Sequence, residues 1–120
     1  VVVASGIMVH ESLQAAEKLA AEGISIAVID MFTVKPLDEE LLIAYAKKTG
    51  AVVTAENHNR IGGLHSAVAE CLMASCLVPL EYVAVEDEFG EVGPQSYLQE
   101  RFGLTAEHVA KKVRAAIARK

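Results

Sequence analysis

The residues richest in chemistry sit in one short segment, Glu56-Asn57-His58-Asn59-Arg60-Ile61-Gly62-Gly63. A carboxylate and an imidazole two positions apart could work as an acid–base pair. Gly62-Gly63 precedes an apolar-periodic run, so the helix it opens would offer free N–H groups to an anion. The same residues also admit an architectural reading. The glycines permit a tight strand-to-helix turn and close packing, while Glu56 and His58 bond to loop backbone or to a neighbouring domain. Two nearby polar residues are not a specific motif, so the architectural reading leads and the ligand reading stays open.

The remaining candidates carry less. His58 and His65 are seven positions apart, across a loop and into a helix, with no third ligand to complete a metal site. Cys71 and Cys76 match no zinc spacing, diverge along one helix and are read as packing residues. His10-Glu11-Ser12 holds the residue types of a catalytic triad, but consecutive helical positions do not converge. His108 falls in the first turn of the last helix and is expected to be exposed. Glu86-Asp87-Glu88, with Glu91 after it, lacks EF-hand spacing and reads as a solvated loop. The cations Lys111, Lys112, Arg114, Arg119 and Lys120 complement the dipole of the closing helix. There is no dinucleotide fingerprint, P-loop or nucleophile elbow. These residues describe an α/β domain without a self-contained active site: no catalytic, cofactor or metal residue is assigned.

Something must position the segment, and 120 residues allow one domain with a real core. Sixteen acidic against 11 basic residues give a net charge of −5, which argues against a nucleic-acid partner. No apolar run is long enough for a membrane-spanning helix, and two cysteines cannot staple a secreted scaffold, so an intracellular domain is expected. Val1 to Ala4 reads as a buried strand at the very first residue. That makes a piece of a longer chain the expectation over a trimmed terminus.

From there strands and helices alternate. A helix is expected from about Val9 to Glu22, with Val9, Leu13, Ala16 and Ala20 inward and Gly23 closing it. A strand covered on both faces follows from Ile24 to Ile29. Asp38 caps a helix over Glu39–Thr49, and Gly50 ends it. Ala51 to Ala55 forms a third strand. A helix over Leu64–Ser75 buries Leu64, Val68, Cys71 and Leu72. After Pro79 comes a fourth strand, about Glu81 to Val85, then a loop to Gly93. A short helix near Gln95–Arg101 stops at Gly103, and Thr105 caps a last one facing Val109, Val113 and Ile117 inward. Strands joined by helices imply right-handed parallel crossovers, hence a three-layer α/β/α fold, with a mainly parallel sheet in the order 2-1-3-4. Its switch point lies between strands one and three, so a crevice would form at Ser5-Gly6 and Glu56 to Gly63.

Six segments then carry a resemblance: EGISIAVID from Glu22, VKPLDEELL from Val34, TGAVVTAENH from Thr49, GGLHSAVAE from Gly62, DEFGEVG from Asp87 and RFGLTAEHV from Arg101. In order and spacing they are similar to the C-terminal domain of the transketolase family of thiamine diphosphate enzymes. The wording around Lys35–Leu42 and Asn57–Glu70 most resembles transketolases of the bacterial and archaeal split type.

The resemblance implies a division of labour. The parent enzyme transfers a two-carbon ketol unit between sugar phosphates in the cytoplasm, using thiamine diphosphate and magnesium held by its other domains. The C-terminal domain packs on those sister domains, supports a homodimer, binds no cofactor itself and supplies little or none of the catalysis. By match to the family's loops, Glu56, His58, Gly62 and Gly63 belong to one edge loop and Asp87, Phe89 and Gly93 to a second. Asn57 stands where the family often has another acid, and His65 where a third glycine is usual. The family's domain also usually begins with one more, antiparallel strand. The resemblance leaves rivals: the equivalent domain of 1-deoxyxylulose-5-phosphate synthase or of a 2-oxo-acid dehydrogenase beta subunit. Two readings from different classes stand beside it. One is a regulatory module binding a phosphorylated metabolite near Ser5, Glu56, His58 and Gly62, and the second is a free-standing interaction domain.

Overall fold

The computed structural model describes residues 1–120. Its elements run β1 (Val2–Ala4), α1 (Met8–Ala21), β2 (Val28–Asp30), α2 (Glu39–Thr49), β3 (Val52–Asn59), α3 (Leu64–Ser75), β4 (Leu80–Val85), α4 (Gln95–Phe102) and α5 (Ala106–Ala118). The strands form one sheet in the order β2-β1-β3-β4, every neighbour parallel, as the alternation of elements predicts.

Strand side chains alternate between faces, and this splits the core in two. Val2, Ala4, Val53, Ala55 and Val83 pack with Met8, Ala15 and Leu19 of α1 and with Val109, Ala110 and Val113 of α5. Val3, Ile29 and Val52 pack on the other face with Leu42 and Ala46 of α2 and Leu64, Val68, Cys71 and Leu72 of α3. The α3 stripe is the one expected from its spacing. Asp38 accepts from Leu41 N at 3.1 Å, and Gly50 closes α2 at φ +72°.

Three expectations need correction. α1 is turned by one position: Met8, Ser12, Ala15 and Leu19 are its buried residues, and Leu13 is exposed. Ser12 can lie inside because its hydroxyl donates to Met8 O at 2.6 Å. At the other end of the chain Ala116 is buried in the place expected for Ile117, and Ile117 is exposed. β2 starts later than the apolar run suggests and is an edge strand, with Asp30 exposed. Here Gly23 N bonds to Ala20 O and Ile24 N to Leu19 O, a Schellman closure that ties Ile24 to the end of α1. Ile24 and Ile26 therefore pack against the core as irregular chain, and pairing begins only at Val28.

Candidate functional site

β3 carries the chemistry-bearing segment further than expected, because Glu56, Asn57 and His58 belong to the strand. Its ladder with β4 pairs Ala55 with Val83 and then Asn59 with Val85, so the segment between them bulges. Strand alternation sets the Glu56 side chain on the face of Val52 and Thr54, toward α3, where the residue is 2% exposed. Its two oxygens face the start of α3: Oε1 accepts from Leu64 N at 2.9 Å and Oε2 from His65 N at 2.7 Å. The anion expected at this helix N-terminus is thus the chain's own carboxylate. Gly63, the residue before α3, has no side chain to do the capping. A Cβ on Gly63 would overlap Glu56 Oε1 and come within 2.9 Å of Asn59 O. The glycine is required by close approach, since its φ of −100° suits any residue.

Burial pushes the Glu56 carboxyl above the ordinary glutamate range, while the N–H groups of His65 and Leu64, and then His58, pull it back. His58 is exposed, its Nδ1 2.8 Å from Asn59 O and 3.8 Å from Glu56 Oε1. The ring therefore donates to backbone, and the longer contact falls outside hydrogen-bond reach. Glu56 and His58 are neighbours but form no acid–base dyad in this geometry. Gly62, at φ +78°, donates its N–H to Ser66 Oγ at 2.8 Å, and Ser66 returns a bond to Arg60 O. Asn59 Oδ1 accepts from Ile61 N at 2.9 Å, which fixes the turn.

The switch point brings Ser5-Gly6 to the same edge. Ser5 N donates to Ala55 O at 3.0 Å. Gly6 has φ +58°, and a Cβ there would lie 3.3 Å from Asn57 Oδ1. His65 points away from Glu56: its Nδ1 lies 3.1 Å from Thr54 Oγ1, and its ring centroid 4.9 Å from that of Tyr82. Burial, then the Arg60 charge, lowers the His65 pKa. Asp87 joins the edge from the β4 side, accepting from Asn59 Nδ2 at 3.4 Å.

Sequence reasoning missed the supports of this edge. Arg60 lies over the Tyr82 ring and pairs with Glu86 at 3.2 Å, and the Tyr82 hydroxyl donates to Glu86 at 3.0 Å. The acidic loop is braced more than its composition suggests, since Arg101 holds Glu88 at 3.2 Å and Glu91 at 2.6 Å. Glu11 has a role its neighbours in sequence do not signal. It reaches across the fold to accept from Ala106 N at 2.8 Å and from Gln99 Nε2 at 3.2 Å, capping α5. His10 pairs with Gln14, and exposed His108 with Thr105. Cys71 is buried and Cys76 half-buried, both as free thiols in the α2–α3 core.

No three His, Cys, Asp or Glu side chains converge where they could hold a metal ion. The largest groove, about 770 Å³, lies between α2 and α3, away from the switch point. No helix is long and apolar enough to cross a membrane. What the edge does chemically is hold two helix N-termini and a braced loop in register with the strand ends.

Comparison with known proteins agrees with this architecture. Residues 1–109 match the family model described as "Transketolase, C-terminal domain". The chain is 55% identical over 119 residues to the 6-deoxy-6-sulfo-D-fructose transketolase subunit of Clostridium sp. (strain MSTE9), covering 99% of this chain and 37% of that protein. It is 46% identical over 115 residues to a 1-deoxy-D-xylulose-5-phosphate synthase of Syntrophotalea carbinolica, covering 95% of this chain and 18% of the relative. Among solved structures, a split gene transketolase described as an inactive beta4 tetramer superposes with a TM-score of 0.94 at 51% identity, over 99% of this chain and 39% of that one. The chain thus spans little more than a third of these transketolase relatives, and less than a fifth of the synthase.

Proposed function

This chain belongs to the transketolase C-terminal domain family, and from that premise we propose that it is the supporting domain of a longer ketol-transferring enzyme, without activity of its own. The parent moves a two-carbon ketol unit between sugar phosphates. The observation that carries the reading is the fate of Glu56: the one deeply buried carboxylate of the switch point has both oxygens bonded to the start of α3. A diphosphate–magnesium group needs carboxylates free to ligate and N–H donors free to receive an anion. These residues do not fit it, so thiamine diphosphate and magnesium belong to sister domains of the parent.

On this reading Ser5, Gly6, Glu56, His58, Gly62, Gly63, His65 and Asp87 shape an edge that meets sister domains of the same enzyme, which works as a homodimer. A cytoplasmic location goes with sugar-phosphate substrates and with two unpaired cysteines. The test is an assay of the parent reading frame with and without residues 1–120, following ketol transfer from a ketose phosphate. Because of the sulfofructose relative, 6-deoxy-6-sulfo-D-fructose is included as a donor. Transfer by the whole parent, and none by residues 1–120 alone, is expected; turnover by residues 1–120 alone would sink the reading. The synthase relative supports a second reading, the same domain in a 1-deoxyxylulose-5-phosphate synthase, which the product of the same assay separates.

A further inference from the structure

The groove between α2 and α3 has a chemistry that the switch point does not share. Ala67, Cys71 and Ala74 recur along the side of α3 that lines it, and side chains this small leave the space between the two helices unfilled. The result is an open groove of about 770 Å³, of the size that takes several side chains of a bound segment. Val34, Leu37 and Ile43 complete its apolar floor, the last two half-buried against the core beneath.

Carboxylates form the rim. Asp38, Glu39, Glu40 and Glu70 all border the groove and are exposed, against one cation, Lys35. None of the four takes part in an ion pair, whereas Glu22, Glu81, Glu86, Glu88, Glu91 and Glu107 are each paired with Lys or Arg elsewhere on the chain. The dipole of α2 accounts for Asp38, Glu39 and Glu40, which sit at its N-cap and in its first turn. It does not account for Glu70, in the middle of α3. Charge of one sign around an apolar-walled cleft concentrates the field there and favours a cationic occupant.

We propose that this groove receives a basic amphipathic helix of a separate partner protein, its aliphatic side chains on the floor and its Lys or Arg side chains on the rim. Charge complementarity selects that occupant over a second copy of the chain. In a two-fold contact the groove would meet its own twin, carboxylates against carboxylates. In any other contact the copy has few cations to offer. Lys18, Arg60, Arg101, Lys112, Arg114 and Arg119, six of its 11, already hold carboxylates of their own. The groove lies away from the switch-point edge, and the proposal does not depend on which reaction the parent catalyses.

The test is fluorescence anisotropy with the full parent protein and a fluorescein-labelled helical peptide of Leu, Lys and Arg whose leucines fall on one face. A scrambled peptide of equal composition reads non-specific attraction to an acidic chain. The helical peptide is expected to bind at least about fivefold more tightly than the scrambled one. Glu39→Gln with Glu70→Gln should weaken it about five- to tenfold, whereas Glu17→Gln with Glu100→Gln, which removes as much charge from exposed sites in α1 and α4, should change it by less than about twofold. Ala74→Glu adds negative charge but sets it in the apolar floor, so binding is expected to fall. No saturable binding, equal affinity for the two peptides, equal loss from both Glu pairs, or tighter binding by Ala74→Glu would overturn the proposal. Self-association of the parent that Glu39→Gln with Glu70→Gln abolishes, read by sedimentation, would give the groove to a second copy and overturn it too.

Discussion

Gly63→Ala is the sharpest perturbation of the edge, because it sets a methyl group against the Glu56 carboxylate. The new Cβ would overlap Glu56 Oε1 and lie 2.9 Å from Asn59 O and 3.0 Å from His58 Nδ1. The backbone tolerates alanine at φ −100°, so the cost arises from contact and not from torsion. Relieving the overlap means moving the carboxylate off Leu64 N and His65 N. Each bond to a charged group contributes about 1.5–3 kcal/mol, and part of that is returned because a buried carboxylate is itself costly. The net loss of stability is expected at about 2–4 kcal/mol.

Glu56→Ala removes the cap directly and is expected to cost about 1–3 kcal/mol. In that background the methyl added at position 63 has lost its worst neighbour, and Gly63→Ala should cost only about 1 kcal/mol more. The double-mutant cycle therefore predicts a coupling of about 2 kcal/mol. Urea unfolding of the four proteins, followed by far-UV circular dichroism with m-values compared, reads it directly. Costs that add to within about 0.5 kcal/mol would refute the argument, since the glycine and the carboxylate would then not compete for the same space.

Other expectations concern packing and pH. Glu11→Ala should cost about 1–2 kcal/mol by leaving Ala106 N without its acceptor and Gln99 with one bond fewer, checked by the same unfolding curves. Leu19→Ala should cost about 2–5 kcal/mol, while Leu13→Ala should stay within about 0.5 kcal/mol; the reverse order would restore the rotated α1 face. Because burial raises the Glu56 pKa, the folded chain keeps a proton that the unfolded chain has lost, so this group's contribution to stability falls as pH rises from roughly 4.3 through the raised value. Glu56→Gln should flatten that part of the stability–pH curve, and an unchanged slope would contradict it. His65 works in the opposite sense: its lowered pKa means stability is lost as pH falls below roughly 6.5, and His65→Asn should remove that slope in melts recorded from pH 7 to 5.

Much of the fold was legible because local signals agreed with one another. The bounds of α2 follow from Asp38 and Gly50, and the buried stripe of α3 from Leu64, Val68, Cys71 and Leu72. The sheet order is the doubly wound arrangement expected for strands alternating with helices. The face of α1 was hidden because Ser12 is polar yet buried, while Val9, Leu13, Ala16 and Ala20 imitate an apolar stripe one position away. At the site, the segment Glu56–Gly63 stood out but its chemistry did not. The bonds that define it join Glu56 to residues eight and nine positions ahead, and Glu11 to one 95 positions away. Hydrophobic periodicity does not encode such caps. One signal was available: Gly63 before α3 offers no capping side chain, so the N–H groups of that helix had to find an acceptor elsewhere.

The central claim is that residues 1–120 support an enzyme whose cofactor is held by other parts of the parent. Isothermal titration of thiamine diphosphate with magnesium into residues 1–120, and separately into the whole parent, tests it most directly. The account predicts saturable binding by the parent and no binding heat from residues 1–120 alone. Stoichiometric, tight binding by residues 1–120 would contradict it.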